Sequence, residues 1–146
     1  MSGRHRRLAR MSLIERALIE KQWHETAVRA QIHAIMGEDG HQFVNAAGRV
    51  LFVVLGALIA EEVDADIPEV RIVRGACNAL CEQAGEAVIT EPRRASIRAG
   101  LEACDRLIGG LQRKSLTDAA CDLQQKLRGA HVQWSAFEAL LNEVAA

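Results

Sequence analysis

Tyrosine is absent from this chain and aromatic residues make up only 3% of it, so rings cannot fill a core. Alanine and the aliphatics must fill it instead, and elements must approach closely, which favours helices. There are only two prolines and no Val/Thr/Tyr-rich alternation, which argues against a sandwich or barrel of short strands. Also missing are a C-x-x-C pair, an H-E-x-x-H, a glycine-rich phosphate loop and a nucleophile elbow. Those absences remove the common signatures of zinc, nucleotide and hydrolase sites. Lysine is scarce as well: among 18 basic residues only Lys21, Lys114 and Lys126 are lysines. Together with many alanines, that is the usage of a GC-rich genome, and a bacterial or phage origin is expected.

What is present is the composition of one globular domain: 146 residues, 49% hydrophobic and 25% charged. The formal charge of −1 hides an asymmetry. Arg4, Arg6, Arg7 and Arg10 carry four positive charges, so Met11 to Ala146 carries −5 by subtraction. The chain divides into a basic flexible arm, residues 1–11, and a helical bundle domain, residues 12–146.

The stretch "RVLFVVLGALIA", Arg49 to Ala60, places eleven apolar or glycine residues behind one arginine. At 1.5 Å per residue they cover only about half of a bilayer core, which needs roughly 20 residues, so no membrane span is expected. The early arginines are followed by "MSLIERALIEK", with acids where a signal peptide carries its apolar region. Cytoplasmic residence follows as the expectation, with Cys77, Cys81, Cys104 and Cys121 as free thiols in a reducing compartment.

Capping signals divide the chain into five helices. "SLIE" at Ser12 to Glu15, "DGHQ" at Asp39 to Gln42 and "DIPE" at Asp66 to Glu69 are capping boxes, while Thr90 and Ser115 offer simple N-caps. Gly37 and Gly85 supply left-handed stops. The helices are then Leu13 to Met36, His41 to Val63, Ile67 to Ala84, Glu91 to Gln112 and Leu116 to Val144. Their short connections imply an all-α, single-domain up-down bundle. Ile97, Leu101, Cys104, Ile108 and Leu111 form one stripe of helix four. Leu116, Ala120, Leu123, Leu127, Ala130, Trp134, Phe137, Leu141 and Val144 form that of helix five, and the two are expected to pair as a hairpin. Val50 to Leu55 cover the whole circumference of helix two, which must therefore be central or lie partly in a dimer interface.

Several constellations are candidates for function. The arm "RHRRLAR" and the Arg93, Arg94 and Arg98 patch can attract phosphate or another anionic partner, although arginines in a first turn oppose the helix dipole. A helix-turn-helix at "LCEQAGEAV" fits poorly, because the following helix contains Pro92 and lacks base-reading side chains. Cys77 and Cys81 share one helix face, but Cys104 falls where the stripe wants an aliphatic, so buried thiols are expected and no metal or cofactor. On helix one, Lys21, His24 and Glu25 interrupt the inner face that Ile14, Leu18, Val28, Ile32 and Ile35 define. Asn45 and Arg49 stand one turn apart on helix two as a candidate buried polar pair, and a buried Arg49 needs an anion such as Glu20 or Glu25. The expected function is a non-enzymatic module (adaptor, inhibitor or regulator) that binds another protein and forms a homodimer. The competing expectation is a nucleic-acid-binding regulator using the arm and the Arg93 patch. An enzyme built around His24 and Arg49 is the weakest reading.

Overall fold

The computed structural model describes residues 12–36, 41–83 and 89–128. Among them run five α-helices and no strand: α1 Leu13–Met36, α2 His41–Ala60, α3 Pro68–Gln83, α4 Glu91–Ile108 and α5 Arg113–Arg128. The chain is an all-α bundle, as composition and capping require. The arginine arm, the cap at Asp39, the stops at Gly37 and Gly85, and helix five beyond Arg128 lie outside the described residues.

Helix α2 is the axis. It packs against all four other helices, and the α1–α5 and α3–α4 pairs meet each other mainly through it. Every residue from Val50 to Leu55 is buried, because a helix apolar all round must be surrounded. Phe43–Ala60 has a mean hydropathy of 2.0, enough by length and composition to cross a membrane, yet 72% of it is buried inside the protein. It is the core helix of the bundle. Its neighbours come close at small residues. A Cβ on Gly56 would lie 3.2 Å from Ala119 Cβ on α5.

The expected hairpin of helices four and five does not form the main contact. Helix α4 packs chiefly on α3, and α5 on α2 and α1. The stripe of α4 holds, with Ile97, Leu101 and Cys104 fully buried. Helix α5 is buried more widely than one stripe, since Leu116, Thr117, Ala119, Ala120, Cys121 and Asp122 are all covered by its two neighbours.

The ends show which local signals prevail. Ser12 Oγ accepts from the Glu15 amide at 3.1 Å, and Thr90 Oγ1 accepts from the Arg93 amide at 3.4 Å, both as capping predicts. The other caps shift. Asp64 accepts from the Asp66 amide at 2.9 Å, and Asp66 instead pairs with Arg71. The first amide bond of α3 therefore runs from Arg71 to Ile67 O, with Pro68 at the first helical position that suits it. Helix α5 starts at Arg113, ahead of Ser115, because the Gln112 amide donates to the Glu61 carboxylate at 2.8 Å, a tertiary cap from the end of α2. Helix α2 stops at Ala60, short of Val63. Glu62 takes a left-handed φ of 54°, and the Val63 and Glu62 amides bond back to Leu58 O and Ile59 O. That is a Schellman closure built without glycine.

Candidate functional site

Helix α1 carries the main departure from expectation. Its inner face is Ile19, Trp23 and Ala30, all buried, with Ala27 packed beside them. The stripe assigned inward, Ile14, Leu18, Val28 and Ile32, faces outward with exposures of 75%, 56%, 59% and 52%, and Leu13 beside it reaches 84%. Lys21, His24 and Glu25 are exposed too, so they interrupt an outer face and not a core-facing one. The side chain of Ile35, the last member of the stripe, lies outside the described residues. Two opposite faces of α1 are thus apolar. The bundle covers the one holding Trp23 and the alanines.

The covered side of α1 is fastened to α5 by a charged clamp. Thr117 Oγ1 donates to Glu20 at 2.8 Å, and Arg113 grips the same carboxylate with Nε at 2.6 Å and with Nη2. These hydrogen bonds, Arg113's first and Thr117's second, hold the Glu20 carboxyl at about 2, against an ordinary 4.5. One turn earlier, Arg16 Nη2 meets Asp118 at 2.7 Å, and Lys114 takes the other oxygen of Asp118 at 2.7 Å. Burial pushes the Asp118 carboxyl up, but the bonds from Lys114 and Arg16 outweigh it and leave it below its usual range. Arg16, Glu20, Arg113, Lys114 and Thr117 line an open cleft of about 320 Å³. Its cations are already matched to carboxylates, so the cleft is a fastening and not a free anion site. Sequence reasoning singled out only Glu20 of this set. The available signal was the i,i+4 spacing of Arg16 with Glu20 and of Lys114 with Asp118.

The other candidates are dispersed. Arg93 Nη1 donates to Gln83 Oε1 at 3.2 Å and Nε faces Glu82 at 3.7 Å, tying α4 to α3. Arg94 pairs with Glu91 within the first turn of α4. Glu91 also supplies the acid that the helix N-terminus favours, offsetting the arginines around it. Arg98 is half-buried, with its Nε enclosed and without a hydrogen-bond partner among the described residues. Two of the three arginines, Arg93 and Arg94, are thus engaged by side chains of the bundle itself.

Asn45 and Arg49 are exposed and are not a buried pair. They lie on the strip of α2 left open by its neighbours, where Arg49 rims a small crevice with Gln22, Trp23 and Thr26. The guanidinium is open to solvent there, and Glu20, expected as its counterion, belongs to Arg113.

All four cysteines are free thiols. Burial pushes the Cys77 thiol well up and that of Cys104 to about 12, so neither is a nucleophile at neutral pH. Cys121 sits apart on α5, with Arg16 Nη1 4.0 Å from its sulfur. Among the described residues, no group of three or more His, Cys, Asp or Glu side chains is placed to hold a metal ion. His24 is exposed, with its ring 5.7 Å from that of Trp23. No protein-family model matches this chain, and neither a curated protein nor a solved structure matches it.

Proposed function

We propose that this protein is a non-enzymatic helical interaction module, an adaptor, inhibitor or regulator, that works by presenting the outer face of α1 to another polypeptide helix. The observation that carries this reading is the exposure of Ile14, Leu18, Val28 and Ile32 along one side of a 24-residue helix. Large aliphatic side chains left exposed in two groups along one face of a folded domain mark an interaction site. A helix is the complement that such a stripe accepts, side chain into groove. The clamp of Arg16, Glu20, Arg113 and Asp118 holds the opposite side of α1 to the bundle, so the face is presented on a rigid support. We place the module in the cytoplasm, where thiols that form no disulfide stay reduced.

The test is affinity capture with wild-type and Leu18→Arg/Val28→Arg baits, both checked by circular dichroism. The captures use lysate of a GC-rich bacterium and cells carrying a second, differently tagged copy of this chain. At least one polypeptide, foreign or the chain itself, is retained by the wild type and lost from the variant. Identical sets on both baits would overturn the reading. Retention of nucleic acid by both baits, weakening steeply with salt, would favour the nucleic-acid-binding regulator instead.

A further inference from the structure

Resting on the reading of α1's outer face as an interaction site, we propose that its occupant is a second copy of this chain, docked antiparallel along α1 about a two-fold axis level with Trp23. The outer stripe is Ile14, Leu18, Lys21, Glu25, Val28 and Ile32, spaced 4-3-4-3-4. That is an unbroken heptad seam, the pattern by which two helices interlock side chains along their length. Among the described residues α1 is the only helix that leaves such a seam outside, with its four aliphatic members 52–75% exposed.

The order of residues along the seam identifies the occupant. Two copies of α1 turned antiparallel about the level of residue 23 place Ile14 opposite Ile32 of the other copy, Leu18 opposite its Val28, and Lys21 opposite its Glu25. Every apolar layer meets an apolar layer, and every charge meets its opposite, twice over by symmetry. An isologous contact requires this self-complementarity: residue i faces j and j faces i. One flank agrees. In the same register Glu15, flanking the seam next to Ile14, comes alongside Arg29 of the second copy. Glu15, Lys21, Glu25 and Arg29 are all exposed and make no ion pair among the described residues.

The alternative arrangements are worse. A parallel pair would set Lys21 against Lys21 and Glu25 against Glu25, two like-charge layers in the middle of the seam. A slip of one heptad would set Ile14 and Leu18, or Val28 and Ile32, against the charged layers. The Lys21–Glu25 layers therefore fix both direction and register, as polar seam residues do in paired helices. A foreign helix would have to match both the apolar and the charged layers in order, a match that this chain already supplies to its own copy.

The test exploits the palindrome and uses surface positions, so the protomer's fold is preserved. Sedimentation equilibrium of the full chain gives twice the 16.0 kDa monomer mass at micromolar concentration. Lys21→Glu alone and Glu25→Lys alone each place like charges in both central layers, and each raises the dimer dissociation constant roughly tenfold or more. The double variant K21E/E25K restores dimerisation. An equimolar mixture of the two single variants gives a heterodimer, because each then supplies the charges the other lacks. If the wild type dimerises but neither single variant weakens it, or the mixture fails to form, this register is wrong and the proposal falls, while the capture with Leu18→Arg/Val28→Arg decides separately whether the α1 face binds a protein. A wild-type monomer also overturns it. In that case an unchanged melting temperature for Leu18→Arg leaves the face to a foreign partner, whereas a lowered one shows it covered within the chain and removes the functional reading too.

Discussion

Gly100 of α4 lies so close to Ala76 of α3 that a methyl group added to the glycine would sit 2.2 Å from the Ala76 Cβ and 3.3 Å from Leu51 Cδ2. No such carbon pair occurs without movement, so the crossing of α3 and α4 exists because one of them carries no side chain at that point. Gly100→Ala is expected to destabilise the protein by about 2 kcal/mol or more, despite the roughly 1 kcal/mol that alanine adds to helix propensity. Thermal melting checks this. The reciprocal pair Ala76→Gly/Gly100→Ala, which moves the methyl to the other helix, should recover part of the loss, and the coupling between the sites can be read from the cycle.

The end of α2 gives a change in the opposite direction. Glu62 holds a φ of 54°, where a Cβ is strained and glycine is not. Glu62→Gly is expected to raise stability by about 0.5–1 kcal/mol, the strain relieved exceeding the added freedom of the unfolded chain. Glu62→Val, branched at Cβ, should lower it. Chemical denaturation of the three proteins ranks them.

The centre of α2 tests the wrapping of the core. Val50, Leu51, Phe52, Val53, Val54 and Leu55 are each no more than 3% exposed, so no side of this stretch is free for a partner. Val54→Asp buries an unpaired carboxylate at a cost of several kcal/mol, comparable with the whole stability of a small domain. Substituting the six positions in turn by Asp should give six largely unfolded proteins by circular dichroism. An alternation of folded and unfolded variants around the wheel would contradict a central α2.

Acid should loosen the seam between α1 and α5. The Glu20 carboxyl is held at about 2 in the folded protein, below its ordinary 4.5, and that of Asp118 is lowered as well. A lowered folded value means stabilisation that is fully present above about pH 4.5 and is lost as the pH falls towards 2. Melting temperature against pH should therefore drop over that window, and drop less in Glu20→Gln, the two curves converging at the acid end. Because Arg113 is 82% exposed, added salt should also narrow the gap at neutral pH.

Much of this architecture was legible in the residues. The circumference of α2, the caps at Ser12 and Thr90, and the α4 stripe follow from period and capping chemistry, which are local. What escaped depends on contacts between elements. Gln112 starts α5 because Glu61 reaches it from α2, and no pattern within the α5 sequence carries that information. Helix α1 has apolar residues on two opposite faces, and by size alone the larger aliphatics belong inside. The bundle instead covers Trp23 with small residues beside it, and Arg16 and Glu20 find partners on α5. The aliphatics left outside, Ile14, Leu18, Val28 and Ile32, are those whose period points to a core face: the period fixes that they share one side of the helix, and only tertiary contacts decide which way that side turns.

That outward seam is the central claim, and covalent trapping measures it most directly. Ile14→Cys and Ile32→Cys are prepared separately, mixed, and oxidised gently, then separated by non-reducing electrophoresis. In the antiparallel pair, position 14 of one copy lies opposite position 32 of the other, while two copies of position 14 are about 27 Å apart along the helix axis. The account predicts a disulfide-linked dimer from the mixture, composed of one copy of each variant, and none from either variant alone. Disulfide-linked dimers from each variant alone, or none from the mixture, would contradict it.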